Sequence, residues 1–391
     1  MGIIIEMKNP VKDLDAKIKE YRRNERIRII LSVLTIFAAV ISTYLLLEMQ
    51  TYTKMDIVKS YGEAVSNNGS YEGFADGVLK YSRDGIAYLS KTGEEQWNQS
   101  YQIKTPVIVK SEKAVAVSEL EGNDIYIFDE DGMKGEIHTT YPIEKMAVSD
   151  NGIVAVLLKV EDAPKIVCFD VDGHVLVEHR ASMSGTGYPI GLALSPDGTR
   201  LAVSYMTIEG TEQATRVAFY DFRGDADDKK DYLLGEEVIK NAVIPTLRFV
   251  SDKQAVAVGN TGYFVYKIND TKLNSKMIKL DKEITSVFFE EDKVGFVLRK
   301  AGEEGQEVRV CDLAGKTLIS KGIDGEYKDM NLSKGNVLLY DGKKVCIISS
   351  WGVCEFNGEI EQNVMEIISL SGINKFLVMN SNGMDEVRLI K

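Results

Sequence analysis

The hydrophobic pattern changes character once along this chain, near residue 70. Upstream of it, residues 29–47 (IILSVLTIFAAVISTYLLL) run for 19 positions without a charge. At ~1.5 Å rise per residue such a helix spans ~28 Å, close to the hydrocarbon thickness of a bilayer, and the run predicts a transmembrane helix. Residues 11–28 (VKDLDAKIKEYRRNERIR) have helical composition with sparse apolar positions at Leu14, Ile18 and Tyr21. They predict a solvated juxtamembrane helix against anionic headgroups, with a docking helix for a cytoplasmic partner as the sharper alternative. Residues 48–70 read as a helical stalk ending near Asn67-Asn68-Gly69.

Downstream, short apolar or alternating runs are separated by Gly, Asp, Asn and Ser turns, the pattern of an all-β fold. One turn recurs: YLSKTG closing on Gly93, FDEDG on Gly132, FDVDG on Gly173, YDFRG on Gly224, CDLAG on Gly315 and SSWG on Gly352, with a degenerate KIND ending at Asp270. The successive spacings run from 37 to 51 residues, a period that marks repeated supersecondary units. Each unit carries a second, earlier turn, such as Ser149-Asp150-Asn151-Gly152 or Ser195-Pro196-Asp197-Gly198, between two apolar strands. Every unit therefore reads as strand a, turn, strand b, loop, strand c, turn, strand d, which is one propeller blade. Glycine closes these turns because a tight reversal often needs positive φ. The C-terminal stretch 364–391 supplies strands a, b and c but no d, and residues 71–77 (YEGFADG) are the expected closing strand. Eight blades over 71–391 is the favoured count, with seven blades and a pair of stacked sandwiches as alternatives.

The stretch SPDGTRLAVS (Ser195 to Ser204) resembles WD-repeat, YVTN-type and TolB-type propellers. SKTGEEQW (Ser90 to Trp97) looks like the blade turn of quinoprotein-type repeats. The whole of 71–391 is similar to membrane-anchored propellers of low-GC Gram-positive bacteria grouped as a family of unknown function. That resemblance implies a fold and leaves activity open. The Gly-His and Trp-Asp pairs of true WD repeats are absent.

Charge adds direction. The net charge of −12 divides unevenly: residues 1–28 hold eight Lys/Arg against five acids, and the remainder holds 39 basic against 54 acidic residues. Seven of those Lys/Arg precede the apolar run closely, whereas only Lys54 and Lys59 follow it in 48–67. The positive-inside rule then expects a cytoplasmic N-terminus and an extracytoplasmic propeller domain at the cell membrane. The long basic flank and the lack of a small-x-small site after Leu47 read as an uncleaved signal-anchor. A domain this acidic is repelled by nucleic acid, so nucleic-acid binding is excluded as a function class.

Candidate chemistry is sparse. His138 and His179 fall in predicted outer strands and His174 follows a turn glycine; no Ser or Cys sits in a nucleophile elbow, and no catalytic residue is assigned. Ser195-Pro196-Asp197-Gly198-Thr199 is similar to a sialidase Asp-box but is short and lacks the following aromatic. Two tryptophans, Trp97 and Trp351, are too few for a quinone platform, so no cofactor is expected. The acidic run Asp225 to Asp231 lacks the Gly and terminal Glu of an EF-hand, and no metal is expected. Cys168 and Cys311 read as core residues. Cys346 and Cys354 lie across a predicted hairpin, where either a disulfide or two free thiols fit the spacing.

What remains is loop asymmetry. The b–c and d–a connections are irregular, and variable loops on a regular scaffold are where binding tends to reside. The candidate binding face is acidic: Glu119, Glu121, Asp124, Glu161, Asp162, Glu209, Glu212, Glu303, Glu304 and Glu307. A concentration of like charge there fits a cationic partner, a neutral partner with a basic patch, or bound divalent cations. The leading expectation is a membrane-tethered, non-catalytic binding or scaffold module engaging a protein or envelope component. The alternatives are a propeller glycosidase, lyase or dehydrogenase, which requires carboxylates converging on the central channel, and a receptor relaying occupancy through its tail.

Overall fold

A computed structural model describes residues 10–62, 69–161, 163–182, 185–223, 232–269, 272–299, 302 and 305–391. The chain separates into two compact units, Met1–Thr51 and Tyr52–Lys391. In the first, a single helix runs from Pro10 to Glu48, so the basic tail and the apolar run share one helix. The window Lys17–Tyr44 is long and apolar enough to cross a membrane, and its side chains are exposed.

The second unit is an eight-bladed propeller of four-stranded antiparallel sheets. Blades 1 to 7 take consecutive strands from residues 70–100, 106–138, 143–180, 188–240, 246–279, 283–323 and 329–359. Blade 8 takes its three inner strands from 364–390 and its outer strand from Lys54–Tyr61, paired antiparallel from Lys54↔Ile390 to Tyr61↔Met384. The expected fold class holds, with two corrections. Lys54–Tyr61 is a strand and not part of a helical stalk, and it, not 71–77, closes the ring. Residues 70–74 and 77–81 are instead the first two strands of blade 1. The closing strand misleads in sequence because KMDIVKSY carries two lysines and an aspartate and lies on an exposed edge, where packing imposes little alternation.

Each blade interface carries its own hydrophobic cluster, eight in all. Middle strands are covered on both faces, so Val154–Leu158 is buried at every position. Outer strands are covered poorly, and Val175–Arg180 is mostly exposed. Continuous apolar runs and mixed strands in the sequence thus report radial position. The recurrent turns are the c–d reversals. Gly173 and Gly315 adopt φ of 80° and 89°, a region that penalises a Cβ. The preceding aspartates explain the rest of the motif: Asp170 Oδ1 accepts from the backbone N–H of Asp172 and His174, and Asp312 Oδ1 from those of Ala314 and Lys316. Gly224 and Asp270 lie outside the described residues.

Candidate functional site

Because strands alternate in direction within a blade, all b–c and d–a connections meet on one rim. Topology therefore brings the described acids of the candidate face together. Glu119, Glu121 and Asp124 belong to blade 2, Glu161 to blade 3, Glu209 and Glu212 to blade 4, and Glu307 to blade 6. Asp162, Glu303 and Glu304 lie outside the described residues, as does the acidic run 225–231.

Their chemistry differs. The Lys159 ammonium lies 2.7 Å from Glu121 and, through that hydrogen bond, holds its carboxyl below the usual range. His138 Nδ1 contacts the Asp124 carboxylate at 2.6 Å. Glu307 is only 9% exposed. Burial opposes its ionisation, but hydrogen bonds from Arg309 at 2.8 Å, Lys282 at 2.7 Å and Ser320 at 2.8 Å outweigh it and hold the pKa down to about 2. Glu307 thus ties strands together within blade 6 and its charge is neutralised locally. Glu161 and Glu212 are exposed and Glu209 is half-buried.

Blade 4 departs from the pattern. Its b and c strands, Arg200–Glu209 and Glu212–Asp221, are ten residues each, against five to seven for strand b in the other blades. Their ladder continues to Glu209↔Glu212, whereas the inner strand pairs only as far as Met206 and the outer strand only as far as Ala214. A two-stranded hairpin therefore projects about 10 Å beyond the blade, turning at Gly210 with φ of 68°. Met206 and Ile208 lie on one side of it, 40% and 74% exposed, beside Glu209 and Glu212 at the tip.

The second place where polar groups converge is the central channel. Glu72, Lys110, Arg248, Phe289, Asn331 and Glu366 all line one cavity of about 560 Å³. The Lys110 ammonium pairs with Glu72 and donates to the Gly73 carbonyl at 2.7 Å, linking blades 1 and 2. Glu366 is 8% exposed. It accepts from the Tyr340 hydroxyl at 2.8 Å and from the Asn331 amide, which also donates to the Ile367 carbonyl at 3.0 Å. Burial first, and Glu72 second, push the Glu366 pKa up to about 8, so a neutral carboxyl predominates near pH 7. A carboxylate in the otherwise apolar run Val364–Ser369 is the one sequence signal that could have marked this place.

The remaining sequence candidates resolve into local structure. Asp197 accepts from Ser195 and Thr199 within an a–b turn, as a plain hairpin turn requires. Asp170, Asp172 and His174 bring ligand atoms within 4.8 Å of one another, but the turn bonds already account for their arrangement. Cys168 and Cys311 are buried, and burial pushes the Cys168 thiol up to about 12. The Cys346 and Cys354 sulfurs lie 3.9 Å apart as free thiols. They are diagonal neighbours, since Cys346 pairs with Asn357 and Cys354 with Ile348 across a bulge.

Solved structures share this architecture. BamB from Moraxella catarrhalis is 12% identical over 86% of this chain and 100% of its own, with a TM-score of 0.50. The C-terminal WD40 domain of Sif2 is 13% identical over 87% of this chain and 99% of its own, with a TM-score of 0.54. At these identities the likeness shows the fold alone. No curated protein matches the chain. Residues 48–389, which span the closing strand and all eight blades, match the model of a family of unknown function, DUF5711, and the chain belongs to that family.

Proposed function

We propose that this protein is a membrane-tethered binding module that presents the b–c/d–a rim of its propeller to a protein partner carrying a basic patch. The observation that carries the reading is the projecting hairpin of blade 4, with Ile208 and Met206 on one side and Glu209 and Glu212 at its tip. An isolated exposed apolar residue is ordinary. Ile208 on the ladder that extends past its own sheet, with Met206 at its base and carboxylates at its tip, makes an apolar anchor with a polar rim. Similarity to BamB and to the WD40 domain of Sif2 supports the propeller scaffold alone and does not identify a partner.

The tether is the apolar part of the N-terminal helix, and the bias of Lys/Arg toward its N-terminal flank orients the propeller outward. Protease added to wall-permeabilised cells should degrade the propeller and leave a small protected N-terminal fragment. A fully protected propeller overturns the orientation. The binding reading is tested by cross-linking intact cells and comparing captured proteins between the wild-type chain and Ile208→Ser/Glu209→Lys/Glu212→Lys. A specific partner lost only in the variant supports it, and identical capture overturns it.

A second reading, a channel hydrolase, has one observation in its favour: Glu72 and Glu366 line the same cavity in contrasting surroundings. Both Glu366 oxygens already take hydrogen bonds from Tyr340 and Asn331, which favours a structural role. Hydrolysis of any chromogenic glycoside by the wild-type chain that Glu366→Gln abolishes would reverse that preference.

A further inference from the structure

Four cations among the described residues line the larger channel cavity; Lys91 pairs with Asp76 and Lys334 donates to the Ser371 hydroxyl. Lys110 is held by Glu72 and by the Gly73 carbonyl. The guanidinium of Arg248, on the inner strand of blade 5, has no ion pair and no hydrogen bond among the described residues. Its guanidinium instead lies over the Phe289 ring, 5.4 Å from the centroid. Burial lowers its pKa, opposed only by the field of Glu112; an arginine nevertheless stays charged at any physiological pH.

Arg248 and Phe289 line two adjoining channel cavities. One is the 560 Å³ space beside Glu72 and Glu366. The other, about 330 Å³, is walled by apolar side chains that include Met146, Leu192 and Leu247, with Glu112, Asp150 and Glu291 also lining it. Arg248 is exposed to the channel, so its guanidinium is open to a ligand, and no acceptor among the described residues competes for it. A planar five-donor fork above an aromatic ring is suited to a bidentate oxyanion. The acids nearby disfavour a dianion, which a carboxylate avoids and a phosphate does not.

We propose that the channel binds a carboxylate-terminated ligand with an apolar body, the chemistry of a peptide C-terminus ending in an aliphatic residue. The carboxylate pairs with the Arg248 fork, and the apolar body lies against Phe289, Met146, Leu192 and Leu247. This site is separate from the rim hairpin, so either proposal stands if the other fails.

The test is calorimetric titration of the full-length chain in detergent micelles with acetyl-leucyl-leucine, its C-terminal amide and phenyl phosphate. Saturable binding of the free acid is expected, with at least about a tenfold weaker affinity for the amide. Arg248→Gln should lose binding of the acid by a similar factor, and Arg248→Lys should fall between the two, because it keeps charge and loses the fork. Circular dichroism and the melting temperature establish that both variants remain folded. Should Arg248→Gln fail to fold, the acid–amide comparison on the wild-type chain decides. Equal binding of acid and amide, no saturable binding of the acid, or unchanged affinity in folded Arg248→Gln overturns the proposal. Tighter binding of phenyl phosphate than of the acid overturns the carboxylate assignment.

Discussion

Blade 4 and blade 8 are built from the same four-stranded unit and differ in where the unit departs from it. Blade 4 is made of consecutive strands and adds length: its central hairpin extends past the sheet, touching neither its own inner nor its own outer strand at the tip. Blade 8 adds nothing and instead joins the two ends of the propeller unit, with Lys54–Tyr61 paired to Gly383–Ile390. Ser60 reaches Asp385 at 2.5 Å and Tyr61 reaches Glu386 at 3.2 Å across more than 300 residues. Blade 8 also places Glu366 in the channel against Tyr340 and Asn331 of blade 7. An added element that the core does not need is free to serve binding, whereas an element that closes a ring is committed to stability.

The largest effect should come from removing the closing strand. A chain beginning at Ser70 leaves blade 8 with three strands and uncovers Leu389 and Val387, which pack in the blade 7–8 cluster with Tyr52 and Met55. We expect loss of a cooperative urea transition, since the missing contacts are comparable with a total stability of ~5–15 kcal/mol. A chain beginning at Tyr52 should keep the transition. Equal behaviour of the two chains would remove the distinction between closing and added elements.

A smaller effect, and one with a definite sign, should come from Glu366. Its carboxyl ionises near its ordinary value of 4.5 in the unfolded chain and at about 8 in the folded one. Between those values the native state binds more protons, so the associated stability is fully present below pH 4.5 and is lost as pH rises through 8. At roughly 1.4 kcal/mol per pKa unit the swing is a few kcal/mol. Melting temperature measured from pH 5 to pH 9 should fall more steeply for the wild-type chain than for Glu366→Gln, which carries no titrating group. Parallel curves would show that the carboxyl is not buried as described.

Glu307 makes the opposite case on the b–c/d–a rim. Because its folded pKa is depressed, its contribution is present above the unfolded value and is lost as pH falls toward 2. Glu307→Gln should destabilise the protein by about 2–3 kcal/mol at pH 7, of the size expected for losing hydrogen bonds to a charged group, read as a shift in the denaturation midpoint. The smallest effect on stability belongs to the hairpin tip. Ile208→Ser with Glu209→Lys and Glu212→Lys should change unfolding free energy by no more than about 0.5 kcal/mol, while removing the captured partner. A large loss of stability from these three changes would mean that the projection is part of the fold after all.

The sequence by itself determined the apolar helix, the repeated blade and the c–d turns with their Asp and Gly positions, and it favoured eight blades over seven without deciding between them. Each of these rests on local chemistry: hydrophobic period, turn φ and side-chain capping are written within a few residues. It also placed Glu119, Glu121, Asp124, Glu161, Glu209, Glu212 and Glu307 on one rim, since alternation of strand direction follows from counting strands. Tertiary structure alone decided the rest. Only the closed ring shows that the polar edge strand Lys54–Tyr61 completes blade 8, because an exposed strand is specified by its partner and not by its own pattern. Only the packed blades show that Glu307 is neutralised by Lys282 and Arg309, and that Glu72, Arg248 and Glu366, separated by some 300 residues in the chain, share one channel. Whether a charged residue is solvated, paired or buried depends on its neighbours in space, and in a propeller those neighbours come from other blades.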